Sequence, residues 1–200
     1  TRLVGRDRDL AKIQQLLQQS RLVTLAGPAG CGKTRLALEC AHVIVPERNV
    51  YWIDLTPLEN PALLPNVIAG RLGIQEQGAY PIAQRIFAFL QNEVGLLVLD
   101  NCEHLISAAA QFAKQLLAHC GDMRVLATSR ERLRVTGEAV WRLGAGVPGA
   151  VDPARGDLHP VSGAESVGVF GLSQPGKVQG LRLGSDLRSQ TYPAAYMARL

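Results

Sequence analysis

Five short runs rich in apolar residues recur along the chain, at 22–26, 50–55, 96–100, 124–129 and 139–143. Between them, apolar residues return every three or four positions. The runs predict strands and the spaced stretches predict helices. Leu96 to Leu99 are four large apolar residues in succession, the pattern of a strand buried on both faces of a parallel sheet. The first helix is predicted over 7–19, with Leu10, Ile13, Leu16 and Leu17 as its stripe and Asp7 or Asp9 near its start. The second runs over 35–45 through Leu36, Ala37, Cys40, Ala41 and Ile44. A third, with Asn60 as cap and Pro61 at its first position, continues to Arg71 and is stopped by Gly73. Pro81 opens a fourth carrying Ile82, Ile86, Phe89 and Leu90, and the fifth spans 105–119. Strands alternating with helices imply an α/β domain with a mainly parallel sheet flanked by helices.

Chemistry enters between the first strand and the second helix. Gly27-Pro28-Ala29-Gly30-Cys31-Gly32-Lys33-Thr34 fits the phosphate-loop pattern G-x-x-x-x-G-K-[ST], with strand before and helix after. Its glycines accept backbone angles closed to other residues, so amides can turn toward an anion. The helix after the loop adds unpaired N–H groups and the positive end of its dipole. Lys33 would bring charge to the β- and γ-phosphates, and Thr34 a hydroxyl for Mg²⁺. The expected fold is therefore a P-loop NTPase.

Asp100 closes the buried third strand, where a carboxylate would hold Mg²⁺ through a water. The plainer alternative is a cap for the next helix. Many ATPases carry a second acid at the next position, but Asn101 cannot take a proton. Glu103 is a substitute, unless it only favours its helix dipole, or a water is held with no true base. Arg130 follows the fourth strand in Thr128-Ser129-Arg130, whence a guanidinium or hydroxyl reaches toward a γ-phosphate; otherwise it is one surface arginine among Arg124, Arg132 and Arg134. His42, His104, His119 and His159 fall on no nucleophile pattern and read as structural or surface residues.

Composition changes little. The apolar fraction of 47% suits a sizeable core, and the net charge of +4 is mild, with no basic run to argue for nucleic acid. Cys31, Cys40, Cys102 and Cys120 show no metal or disulfide spacing and read as buried, reduced thiols of a cytosolic protein. No run approaches a membrane span, and nothing resembles a signal peptide. At Gly144 the texture alters: ten of the twenty glycines and five of the eleven prolines lie in residues 144–200. Such sparse patterned apolar content offsets chain entropy poorly, so a poorly ordered tail is expected there.

Several stretches together resemble one family. They are Val4-Gly5-Arg6-Asp7, the loop 27–34, Leu97-Val98-Leu99-Asp100-Asn101-Cys102-Glu103-His104-Leu105, and Val125-Leu126-Ala127-Thr128-Ser129-Arg130-Glu131. Trp52-Ile53-Asp54-Leu55, Asn60-Pro61-Ala62-Leu63 and Leu72-Gly73 add to the set. Over residues 2 to 143 the chain resembles the STAND signalling ATPases, close to the NB-ARC domain. Within them it is most similar to the bacterial branch that joins this ATPase to LuxR-type or winged-helix DNA-binding domains and helical repeats.

The resemblance implies a phosphate-loop strand near the sheet centre and a slow ATP/ADP switch between closed and open arrangements. It implies that Val4 and Arg6 contact adenine through their backbone and that Gly27 to Thr34, with Arg35, bind the phosphates. Asp100 and Thr34 would hold Mg²⁺, and Lys33, Asp100, Glu103 and Arg130 would serve the chemistry. Two regions are expected: residues 1–143 as the nucleotide-binding domain, and 144–200 as an irregular tail. No Gly-x-Pro lid motif, Met-His-Asp triplet or winged helix is legible after 143, which suits a truncated or frame-shifted lid region. The implied partners are nucleotide and other domains of a longer regulator, with oligomerisation in the ATP state; direct DNA binding, a membrane and a location outside the cytoplasm are not expected. A small phosphotransferase using Arg132 to Arg134 as a basic lid, and a remnant that only binds nucleotide, are the rival readings.

Overall fold

The computed structural model describes residues 5–44, 49–75 and 80–144. Helix α1, Asp7–Gln19, buries Ile13, Leu16 and Leu17 and ends as Ser20 turns extended. Strand β1, Leu22–Ala26, is buried at every position. Helix α2, Lys33–Ile44, starts two residues earlier than its apolar spacing suggests, because the phosphate loop runs directly into its first turn. Strand β2 is Asn49–Asp54. Asn60 does act as a cap, its side chain accepting from the Ala62 N–H at 3.0 Å, but the element it caps is a 3₁₀ turn, Pro61–Leu63. Only then does α3, Leu64–Leu72, begin; left-handed Gly73 closes it. Helix α4, Ile82–Leu90, starts just after Pro81.

Strand β3, Gly95–Asp100, is buried throughout, as its four apolar residues require. The expected helix over 105–119 is preceded by a 3₁₀ turn, Cys102–His104, before α5, Ile106–His119. Strands β4, Met123–Ser129, and β5, Glu138–Arg142, complete the order.

All four strand pairings are parallel, in the order β2-β3-β4-β1-β5. The phosphate-loop strand β1 is interior, one place from the β5 edge, and β4 takes the centre. Strand alternation then sorts the core onto two faces. Leu97, Leu99, Val125 and Ala127 join Ile68, Leu90, Phe112 and Leu116 of α3, α4 and α5. Leu96, Val98, Leu126, Val23 and Leu25 join Ile13, Leu17, Leu36 and Cys40 of α1 and α2. At roughly 1.5–3 kcal/mol per buried large side chain, these two layers hold the sheet between its helices. Because every strand runs the same way, the carboxyl ends Ala26, Asp54, Asp100, Ser129 and Arg142 gather at one edge, the usual ligand edge of open α/β sheets.

Val4, His159 and the expected tail beyond Gly144 lie outside the described residues. Among the described residues, no helix is long and apolar enough to cross a membrane.

Candidate functional site

The loop between β1 and α2 owes its path to its glycines. Gly30 and Gly32 have φ of 74° and 89°, left-handed angles that tax any side chain. Gly27 is needed for space: a Cβ there would sit 2.5 Å from the Leu143 carbonyl oxygen. The Leu143 N–H donates to Ala26 at 2.7 Å, and the Gly27 N–H to Ser129 at 3.2 Å, so the loop's start is pinned between β5 and β4. Pro28, Ala29 and Gly30 are exposed at its crest, whereas Cys31 is buried beneath.

Lys33 is only 8% exposed. Its ammonium donates to the carbonyls of Gly27 and Pro28, both at 2.9 Å. A buried cation with carbonyl dipoles as acceptors is poorly compensated, and an anion beside it would be strongly favoured. Thr34 points the other way, its hydroxyl donating to Asp100 Oδ1 at 2.9 Å. Residues 66 positions apart thus place a hydroxyl and a carboxylate together beside the glycine loop.

Asp100 is 5% exposed, and Oδ1 also accepts from the Thr128 hydroxyl at 2.5 Å. Thr128 in turn accepts the Asn101 N–H at 2.9 Å. Burial pushes the Asp100 carboxyl up; the Thr128 and Thr34 hydroxyls pull it down, and the charges of Asp54 and Glu103 push it up again. A carboxylate so placed gains from a neighbouring cation. Among the described residues no three His, Cys, Asp or Glu side chains gather as a metal cage. A magnesium site needs none, since one hydroxyl, one carboxylate, waters and phosphate oxygens complete its octahedron. The loop amides, Lys33, Thr34 and Asp100 therefore fit a Mg²⁺-nucleotide in donor type and in placement.

The remaining candidates gather less completely. Asn101 takes a left-handed φ of 67°, and its amide nitrogen, turned toward Glu103, lies 3.0 and 3.2 Å from the carboxylate oxygens. Glu103 also pairs with Arg130, Nε to Oε1 3.3 Å. Arg130 itself is 64% exposed, so this ion pair is a weak tether. Arg35 pairs with Glu39 one turn along α2, at 3.5 Å. The Arg6 side chain reaches the loop from outside, Nη2 donating to the Cys31 carbonyl at 3.3 Å. His104 meets the Leu58 carbonyl at 2.8 Å, a structural link between the β3 and β2 ends. All four cysteines are free and buried. Burial, then the charges of Asp100 and Glu103, push the Cys102 thiol up and leave it unreactive.

Three contributors escaped the sequence reading. Thr128 turns to Asp100 rather than toward a phosphate. Asp54 stands level with Asp100 on the neighbouring strand, held by the Thr56 N–H at 2.9 Å. Asp9 is buried and bonded to both Arg6 and Trp141. Apart from the local Arg6–Asp9 pair, strand order brings these together; an acid at the end of β2 was the available signal.

No known protein-family profile matches the chain. It is 37% identical over 131 residues to a "Putative HTH-type transcriptional regulator" of Mycobacterium tuberculosis, covering 66% of this chain and 15% of that protein. The chain thus spans about a seventh of the length of that relative. Among solved structures it is similar to Drosophila ORC bound to AT-rich DNA and Cdc6, with a TM-score of 0.50, 16% identity, and coverage of 72% of this chain and 55% of that one. It is also similar to a STAND protein with a tetratricopeptide repeat sensor from Pyrococcus horikoshii, with a TM-score of 0.49, 21% identity, and coverage of 70% and 23%. The chain has the P-loop NTPase fold.

Proposed function

We propose that this chain is the ATP-binding switch domain of a longer signalling or transcriptional regulator of the STAND, NB-ARC-like type. The observation that carries the reading is the Thr34 hydroxyl on Asp100, 2.9 Å apart, beside a glycine loop with a buried lysine. The regulator-named relative, matched over 131 residues, supports a regulatory rather than a metabolic setting.

The loop amides and Lys33 would bind the phosphates of ATP or ADP, and Thr34 and Asp100 would hold Mg²⁺. Bound there, the metal neutralises phosphate charge. Thr128 fixes the Asp100 carboxylate from beneath through its 2.5 Å bond, so the acid is oriented before ligand arrives. Glu103 and Arg130 lie at the same edge, and a γ-phosphate would compete with Glu103 for the arginine. Nucleotide then shifts the balance between two arrangements only by its differential affinity for them.

Turnover should be slow. Asn101, the residue that follows the metal acid, cannot take a proton from the attacking water. About one turnover per minute or less is the order expected of unassisted switch NTPases. A phosphate-release assay tests it: several turnovers per second would contradict a switch.

The switch is favoured over a phosphotransferase, whose basic lid would be Arg132 to Arg134. Arg134 pairs with Glu131 at 3.0 Å, and the Glu138 carboxylate accepts from the N–H groups of Leu133, Arg134 and Val135. That stretch is a pinned turn. Small acceptors are therefore expected to leave nucleotide turnover unchanged.

A further inference from the structure

Asp9 sits outside the phosphate-loop motif, yet it is 6% exposed and uses both carboxylate oxygens. Oδ2 accepts from Arg6 Nη1 at 2.9 Å, and Oδ1 accepts from Trp141 Nε1 at 3.1 Å. The same Arg6 guanidinium donates through Nη2 to the Cys31 carbonyl. We propose that Asp9 is a positioning residue for the nucleotide loop, and that through Trp141 it couples the end of β5 to that loop. The proposal rests on the nucleotide reading above.

The geometry gives each bond a task. The Cys31 carbonyl and the Gly32 N–H belong to one planar peptide and point in opposite directions. Holding that carbonyl on Arg6 therefore fixes where the Gly32 amide points, at a glycine whose missing Cβ leaves its backbone many other angles besides the φ of 89° it adopts. Arg6 is a long side chain that must be held to do this, and the buried Asp9 charge holds it through a charge-assisted bond. Trp141 ties the carboxylate to β5. Two positions on, Leu143 reaches the loop a second time, its N–H on Ala26 and its carbonyl against Gly27. The end of β5 is thus tied to the loop twice, by the Leu143 N–H on Ala26 just before Gly27 and, from Trp141 through Asp9 and Arg6, at Cys31. A change in the loop on nucleotide binding moves Trp141 with it.

The chain has two tryptophans, so Trp52→Phe leaves Trp141 as the sole indole emitter. In the full chain carrying that change, titration with Mg-ATP is expected to alter Trp141 emission along the binding curve measured by calorimetry. Asp9→Asn keeps the shape and the acceptor for Trp141 but loses the charge that holds Arg6. It is expected to weaken ATP and ADP about tenfold and to uncouple the emission change. Trp141→Phe, read by calorimetry alone, is expected to weaken both nucleotides about threefold, and it decides the matter if Asp9→Asn does not fold. If the bond only staples α1 to β5, its loss would lower the melting temperature and leave affinity and emission untouched. Calorimetric binding with silent Trp141 emission and unaltered affinity in the variants overturns the relay and leaves the nucleotide site standing. Absence of calorimetric binding to the unmodified chain overturns both.

Discussion

At the scale of single residues, the site is a set of polar groups held under strain of burial. Lys33 bonds carbonyls of its own loop, so its removal does more than delete a ligand contact. Lys33→Met should weaken ATP about tenfold to hundredfold, the worth of one or two charge-assisted bonds, while circular dichroism stays unchanged. Asp100→Asn should remove the Mg²⁺ dependence of that affinity and raise the melting temperature of the nucleotide-free chain at neutral pH. The sign comes from burial: a carboxyl pushed up in the fold is penalised in its charged form above that raised value, and the penalty disappears below the unfolded value. The stabilisation by Asn should therefore shrink as pH falls through that window. Equal melting at neutral pH would mean that the two threonine hydroxyls offset burial in full. Arg130→Ala should cost ATP more than ADP, because only ATP carries the group that would draw the guanidinium from Glu103; equal losses in a calorimetric comparison would leave it a surface ion pair. The acid, the lysine and the hydroxyl were legible because one short motif and one strand end carry them. The Thr128–Asp100 and Asp9–Trp141 bonds were not: they join residues 28 and 132 positions apart, and sequence spacing holds no trace of a contact made by strand order.

At the scale of elements, the glycine loop is fixed as much by its neighbours as by its own residues. Gly27→Ala would drive a methyl group into the Leu143 carbonyl. A loss of about 1–3 kcal/mol is expected, together with weaker nucleotide binding, since the same contact seats β5 against the loop. Chemical denaturation read beside ATP titration checks it; an unaffected melt would mean that β5 yields freely. Apolar runs located all five strands: β1, β3 and β4 are buried almost throughout, and the edge strands β2 and β5, though only half-buried, still carry apolar runs. Helix boundaries were less legible. Asn60 and Pro61 signal a start correctly, but the first turn they start is 3₁₀, and its side chains stay exposed, so no apolar stripe marks where α3 takes over. The 3₁₀ turn at Cys102–His104 escaped because three residues are too few to show a helical period; Cys102 is buried in the core, its thiol donating to the Leu99 carbonyl at 3.3 Å.

At the scale of the whole molecule, one edge of a parallel sheet collects the chemistry, and two apolar layers hold that edge in place. Among the described residues both layers lie at or before Leu143, and the sequence beyond Gly144 carries no continuous apolar face. A chain ending after Gly144 should consequently fold with nearly the same melting temperature and retain nucleotide; failure to fold would make the residues after Gly144 part of the core. The central claim is that the loop, Lys33, Thr34 and Asp100 form one Mg²⁺-nucleotide site. Calorimetric titration of the full chain with ATP, with Mg²⁺ and then with chelator, tests this most directly when Asp100→Ala is run alongside. Binding that Mg²⁺ strengthens is expected in the unmodified chain, and binding indifferent to Mg²⁺ in the variant. Affinity indifferent to Mg²⁺ in both would contradict it, leaving Asp100 as no more than a buried acid at a strand end.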